Sequence, residues 1–191
     1  MFPDSAALIV IDVQKAIDDP RWGRRNNPQA EENIARLIDA WRRTKRRLIH
    51  VQHHSREPNS TYRPGQPGYE FKDCARPAAG ETVVTKHVTC AFIGTGLENI
   101  LRDGGHELLV IAGVITNNSV EATARVAGNL GFDVHVVSDA TFTFNRTALD
   151  GTLHKAEDVH AHSLANLNGE YARIVDTASI LNWGSDTSTP E

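Results

Sequence analysis

Four places in this sequence put a reactive side chain directly after a short apolar run. Asp12 follows Leu8-Ile9-Val10-Ile11. His53-His54-Ser55 follows Leu48-Ile49-His50-Val51. Lys86 follows Thr82-Val83-Val84-Thr85. The segment Gly113-Val114-Ile115-Thr116-Asn117-Asn118-Ser119 follows Leu108-Leu109-Val110-Ile111-Ala112. A carboxylate can carry a proton, an ammonium can hold nearby charge in place, and a hydroxyl can attack an electrophilic carbon. Each residue also has a plainer role. Asp12 and Lys86 can be a structural ion pair, and Ser119 can cap a helix. A cap alone leaves Asp12 and Lys86 unexplained. A strand-to-helix turn also presents backbone N–H groups, which can hold an oxyanion.

Elements of regular structure must bring these residues together. The apolar runs are rich in branched side chains and show no alternation, as in strands buried on both faces. Further strands are expected at Val134-His135-Val136-Val137 and Arg173-Ile174-Val175. Ile34, Leu37, Ile38 and Trp41 recur on one helical stripe, in a helix that Pro28 opens. Shorter helices are expected around Leu97–Leu101, from Ser119 to Leu130, and over residues 156–167. The alternation of strand and helix predicts a three-layer α/β/α fold with a six-stranded, mostly parallel, Rossmann-like sheet. Ligands in such sheets bind outside the carboxyl ends of the strands, where the reactive residues lie. Residues 53–80 carry Pro58, Pro64, Pro67 and Pro77 with no clear period, and read as a long lid or interface loop.

Composition narrows the class further. The chain has 191 residues, 40% hydrophobic and 23% charged, as expected of one globular domain spanning 1–191 with a short tail from about 183. A formal net charge of −4 argues against a broad nucleic-acid surface. The basic run Arg42 to Arg47 reads as a solvated helix end. Two cysteines, Cys74 and Cys90, cannot form a disulfide framework and read as free thiols. No run is long and apolar enough to span a membrane, and the start leaves no room for a signal peptide, so a cytoplasmic location is expected. No Gly-x-Gly-x-x-Gly follows the first strand, and no cofactor is expected.

The sequence resembles the isochorismatase-like cysteine hydrolases, and within them the streptothricin hydrolase-like branch. The likeness rests on Leu8 to Gln14, on Thr85-Lys86-His87 with Ala91-Phe92, and on Gly113 to Val120 with Thr123-Ala124-Arg125. Asp139-Ala140-Thr141 also fits. The resemblance implies an Asp-Lys-Cys triad that falls on Asp12, Lys86 and Ser119. It also implies a cis peptide between Val114 and Ile115, with the backbone N–H groups of Ile115 and Ser119 as an oxyanion hole. Gln14, Trp22, His53, Phe92 and Asn118 would bind the substrate. The activity implied is cleavage of a C–N bond in a small amide, a cyclic amide among the candidates, by a homodimer or homotetramer.

The departure from the family is the serine at 119. A thiol ionises readily beside a lysine and a helix start, whereas a hydroxyl needs a real general base. Three readings follow. Ser119 replaces an original cysteine, or it is native to a slow or inactive hydrolase, or no nucleophile is needed. Isochorismatases proper work in the third way, cleaving a vinyl ether by proton transfer through the aspartate. Cys90, four residues after Lys86, is a further candidate nucleophile. A binding protein that keeps the pocket without turnover is the non-enzymatic alternative. Nine histidines invite a metal. The Asp-x-His pair of the family's metal-binding branch is absent after the second strand, where His53-His54-Ser55 stands, so no metal is expected.

Overall fold

A computed structural model describes residues 3–183. Six strands form one sheet: β1 (Ala7–Ile11), β2 (Leu48–His53), β3 (Thr82–Lys86), β4 (Leu108–Val114), β5 (Asp133–Phe142) and, after a small hairpin, a last strand at Arg173–Val175. The hairpin pairs β6 (Arg146–Thr147) with β7 (Leu153–His154), so the last strand is β8. The sheet order is β3-β2-β1-β4-β5-β8, and every neighbouring pair in it is parallel.

The periodicity of β1 explains the three layers. Ala7, Ile9 and Ile11 face one apolar cluster, with Leu97, Leu101, Ala124 and Leu164. Those residues lie on α2 (Leu97–Asp103), α3 (Glu121–Asn129) and α4 (Ala156–Leu167). Leu8 and Val10 face the opposite cluster, with Ile34, Leu37, Ile38, Trp41 and Ile180. These belong to α1 (Ala30–Thr44) and α5 (Thr177–Leu181). Every residue of β1 is buried, and each large aliphatic side chain so buried contributes roughly 1.5–3 kcal/mol. A strand with two apolar faces has no stable place except the middle of such a sandwich.

The chain winds outward from β1 through β2 to β3, then returns to the other side of β1 with β4 and continues through β5 to β8. The order reverses between β1 and β4, and a crevice opens there at the carboxyl ends. At that seam Gly113 pairs with Ile11, with φ +117. A Cβ on Gly113 would lie 2.2 Å from the Ile11 carbonyl oxygen, so only glycine fits.

The long loop is only partly free of structure. It contains 3₁₀ turns at Pro67–Tyr69 and Asp73–Ala75. Its later part is tied to the chain after β1: the Lys15 N–H donates to the Glu70 carbonyl at 2.8 Å and the Lys72 N–H to that of Val13 at 3.0 Å. Gly68 packs so closely that a Cβ would lie 2.5 Å from the Thr61 carbonyl oxygen. Two other expectations are corrected. Helix α1 begins at Ala30 rather than at Pro28. Residues Thr116–Val120 form a π turn, and α3 starts only at Glu121, so Ser119 is not a helix cap. A tail from about 183 lies, apart from Trp183 itself, outside the described residues. Among those, no helix is long and apolar enough to cross a membrane.

Candidate active site

The strand ends converge as the topology requires. The parallel register sets His53 on β2 opposite Lys86 on β3. On the other side of β2, the Asp12 N–H continues the ladder to the Val51 carbonyl at 3.0 Å. Asp12 then takes a left-handed backbone, φ 54, which ends the strand. Aspartate is among the few non-glycine residues that tolerate this conformation. Its side chain is buried, as is that of Lys86.

The Lys86 Nζ is the hub. It lies 2.7 Å from Asp12 Oδ2, 3.3 Å from Ser119 Oγ, 3.2 Å from the Val88 carbonyl and 3.4 Å from His53 Nδ1. An ammonium has three protons and no lone pair, so these four atoms share three donors and each presents a lone pair to it. Asp12 Oδ1 is buried and has no hydrogen-bond partner. Burial pushes the Asp12 carboxyl above its ordinary range, and the neighbouring Lys86 charge only partly offsets this.

These groups border a cavity of about 400 Å³ lined by Asp12, His53, Val114, Ile115, Asn118 and Ser119 from the strand ends. Asp19, Arg21 and Trp22 line it from the segment after β1, Asn59 to Tyr62 from the long loop, and Thr89 from the segment after β3. The Val114–Ile115 peptide at its edge is cis. Trp22 is fixed by its Nε1–H to the Ala16 carbonyl at 2.9 Å and by stacking on Phe144 at 5.4 Å.

The structure gathers Asp12, Trp22, His53, Ile115, Asn118 and Ser119 around the cavity and Lys86 beneath it, but not all the expected residues. Phe92 is a correction. It stacks on Phe132 at 5.9 Å inside the core and does not line the cavity. An aromatic ring in the loop after Lys86 lowers the free energy more in the apolar layer under α2 and α3 than in a partly polar cleft. Gln14 is a second correction. Its amide is fully buried and binds the backbone instead. It accepts from the His53 N–H at 2.7 Å and donates to the His53 and Tyr69 carbonyls at 3.1 and 2.9 Å. Gln14 thus positions His53. Cys90 lies in the core cluster and outside the cavity lining, which removes it as a nucleophile.

Other lining residues escape a reading of motifs. Tyr62 meets His53 edge-on at 5.5 Å, and burial raises its phenol well above the usual range. The proline content marked this loop as functional, but no period showed which residues turn inward. Asp19 and Arg21 pair with each other at the cavity mouth, the Arg21 side chain donating to the carboxylate at 2.7 Å. Behind the π turn, Thr116 Oγ1 lies 2.9 Å from His160 Nδ1, and Ser163 Oγ donates to the Glu121 carboxylate at 2.6 Å, just after the turn. Helix α4 therefore braces the turn that carries Ser119. Among the described residues, no group of three or more His, Cys, Asp or Glu side chains converges as metal ligands do.

Comparison with known proteins identifies the family. The isochorismatase domain model matches residues 6–179. An isochorismatase family protein of Bacillus subtilis, YrdC, is 41% identical over 179 residues, which is 94% of this chain and 96% of that protein. The crystal structure of an isochorismatase-family protein from Chromobacterium violaceum superposes with a TM-score of 0.92 at 55% identity, covering 95% of this chain and 94% of that one. A streptothricin hydrolase of Streptomyces noursei is more distant, 32% identical over 148 residues, which is 76% of this chain and 57% of that protein. The expected placement in a streptothricin hydrolase-like branch is therefore replaced by the family as a whole.

Proposed function

The chain belongs to the isochorismatase family of hydrolases, and from that premise we propose that it cleaves a C–N bond of a small amide through Asp12, Lys86 and Ser119. One observation carries this reading. The buried Lys86 Nζ touches both the Asp12 carboxylate and the Ser119 hydroxyl, at 2.7 and 3.3 Å, at the edge of a cavity at the sheet's reversal point.

The steps follow from what each group can do. Ser119 Oγ attacks the amide carbon as its proton passes to Asp12. A carboxylate of ordinary pKa is a weak base for an alcohol, and the raised pKa of Asp12 narrows that gap. Lys86 already donates toward Oγ, so negative charge developing there is stabilised as the new C–O bond forms. The N–H groups of Ile115 and Ser119 are proposed to hold the carbonyl oxygen as it becomes an oxyanion. Asp12 then gives its proton to the leaving nitrogen as the C–N bond breaks. Water enters and loses a proton to Asp12. The water oxygen bonds to the ester carbon, the C–O bond to Ser119 breaks as Asp12 returns the proton to Oγ, and the carboxylic acid leaves.

A second reading has its own support. Asp12 Oδ1 is unpartnered, and burial raises the carboxyl above its ordinary range so that it takes up a proton more readily than a free carboxylate. Such a group suits proton transfer to a vinyl ether with no covalent step. Turnover of a panel of small amides, followed by release of the amine or ammonia, separates the two. Loss in Ser119→Ala supports the amide reading. A vinyl ether turned over equally well by Ser119→Ala, but not by Asp12→Asn, supports the ether reading. Binding without turnover, unchanged in Ser119→Cys, would make the chain a binding homologue.

A further inference from the structure

His53 takes part in none of the steps above, yet it occupies the cavity wall beside Asp12 and Ser119. Its Nδ1 lies 3.4 Å from the Lys86 Nζ, which can only donate. Nδ1 therefore carries the lone pair, and the ring proton sits on Nε2. Among the described residues Nε2 has no hydrogen-bond partner, and it is not one of the buried unsatisfied atoms. The ring is held from three sides. Gln14 binds both backbone groups of His53, Tyr62 packs edge-on against it, and Lys86 fixes Nδ1.

The charges of the same cavity are also constrained. Its lining carries Asp12, Asp19 and Arg21, and Arg21 pairs with Asp19. Lys86 pairs with Asp12. Among the described residues of the site, each cation already faces a carboxylate, so a ligand's carboxylate would meet a lining with no net positive charge.

Resting on the amide-hydrolase reading of this site, we infer that His53 determines specificity by donating its Nε2–H to a second acceptor on an uncharged substrate. The substrate class is an amide that carries another carbonyl or ring nitrogen beside the scissile group, as a cyclic imide does. Anionic amides are disfavoured by the charge balance of the lining, in which each cation already faces a carboxylate. The donor stays uncharged through the working range. Burial, Lys86, His87 and His54 together bring the His53 imidazole down to about 4. Asp12, Asp19, Arg21 and Tyr62 are the other titratable groups that line the cavity with it.

Two measurements test this on the whole chain. Nitrogen-15 NMR of the histidine side chains, assigned by the missing signal in His53→Gln, reads the tautomer without any substrate. A neutral ring with its proton on Nε2 at neutral pH is expected. A proton on Nδ1, or an imidazolium, overturns the inference. The second measurement is calorimetric binding of succinimide, 2-pyrrolidinone and succinamate to the Ser119→Ala protein. Succinimide should bind about 3- to 10-fold more tightly than 2-pyrrolidinone, the range one neutral hydrogen bond supplies, and succinamate should bind most weakly. Adding His53→Leu should erase that ratio, while His53→Gln, which keeps a donor, should retain part of it. Thermal melts identify any variant that fails to fold. An equal affinity for succinimide and 2-pyrrolidinone, or a ratio unchanged in His53→Leu, overturns the inference. A preserved ratio with no turnover by the unaltered chain would instead overturn the hydrolase reading alone.

Discussion

Lys86 Nζ and Asp12 Oδ2 lie 2.7 Å apart, with side chains 0% and 6% exposed. This pair is both an electrostatic unit of the fold and the center of the site. Removing one partner leaves a buried charge without compensation, which costs about 3–5 kcal/mol. Lys86→Met should therefore lower stability by that amount and abolish turnover. The double variant Asp12→Asn, Lys86→Met should recover much of the stability and none of the activity. Urea titration alongside an activity assay separates the two effects.

Ser119 presents its hydroxyl directly to Lys86, at 3.3 Å. Ser119→Ala is expected to reduce amide turnover by about 10³-fold or more, as loss of a nucleophile does, with the melting temperature nearly unchanged. Ser119→Cys should raise the rate, since a thiol beside Lys86 ionises far more readily than a hydroxyl. Initial rates for the three proteins on one substrate decide this.

The direction of the Asp12 shift fixes the shape of a pH profile. Burial raises this carboxyl above 3.8. As a base it must be ionised, so kcat/KM for an amide should rise with pH through the raised value and then level off. A vinyl ether needs the protonated form, and its rate should fall over the same interval. Stability follows the proton too. The folded chain keeps this proton to higher pH than the unfolded one, so Asp12 costs stability progressively as pH rises through the window between the two values. Asp12→Asn should remove both dependences.

Glu81 carries the opposite sign. The Arg42 side chain, against some burial and with help from the Ala78 N–H and His50, lowers its carboxyl from 4.5 to about 2. Its contribution is fully present above the unfolded value and is lost as pH falls through about 2. Glu81→Gln should flatten the acid limb of a plot of melting temperature against pH, and leave the catalytic profile as it was.

Gly113 and Gly80 make a controlled pair. Both have positive φ, but a Cβ on Gly80 would meet nothing within 4 Å, whereas on Gly113 it would strike the Ile11 backbone. Gly80→Ala should cost about 1–2 kcal/mol, the backbone term alone. Gly113→Ala should cost well beyond that, because β1 and β4 must separate at the seam. Denaturant midpoints for the two variants test the difference.

The frame was legible where burial writes a strong pattern. The continuously apolar runs of β1 and β4 and the stripe on α1 identify a covered parallel sheet without further help. The candidate site residues were legible because each stands at a strand end or in the turn that follows one, where topology leaves few alternatives. Side-chain direction was not. Gln14 and Phe92 sit in the right segments, yet one turns to the backbone and the other to the core. Nothing in residue type separates a buried amide that clamps from one that reads a ligand. The extension of β5 through Ser138 and Asp139 was missed because its polar residues are held by neighbours: Ser138 Oγ donates to the Val175 carbonyl at 2.9 Å, and Asp139 Oδ1 accepts from the Thr177 N–H at 2.8 Å. Tyr62 and its neighbours depend on how a proline-rich segment folds back, which local propensity does not encode.

The cavity is assembled from two kinds of material. Its base belongs to the sheet and tolerates almost no change, as the contact of Gly113 with Ile11 illustrates. Part of its wall is the stretch from Asn59 to Tyr62, whose backbone is held by the Ser55 N–H on the Tyr62 carbonyl and by Gly68 packed on the Thr61 carbonyl. Substitutions of the Asn59, Ser60 and Thr61 side chains can reshape what the cavity admits while Tyr62 keeps His53 in place. A library confined to those side chains would retarget the protein to new compounds without re-engineering its chemistry.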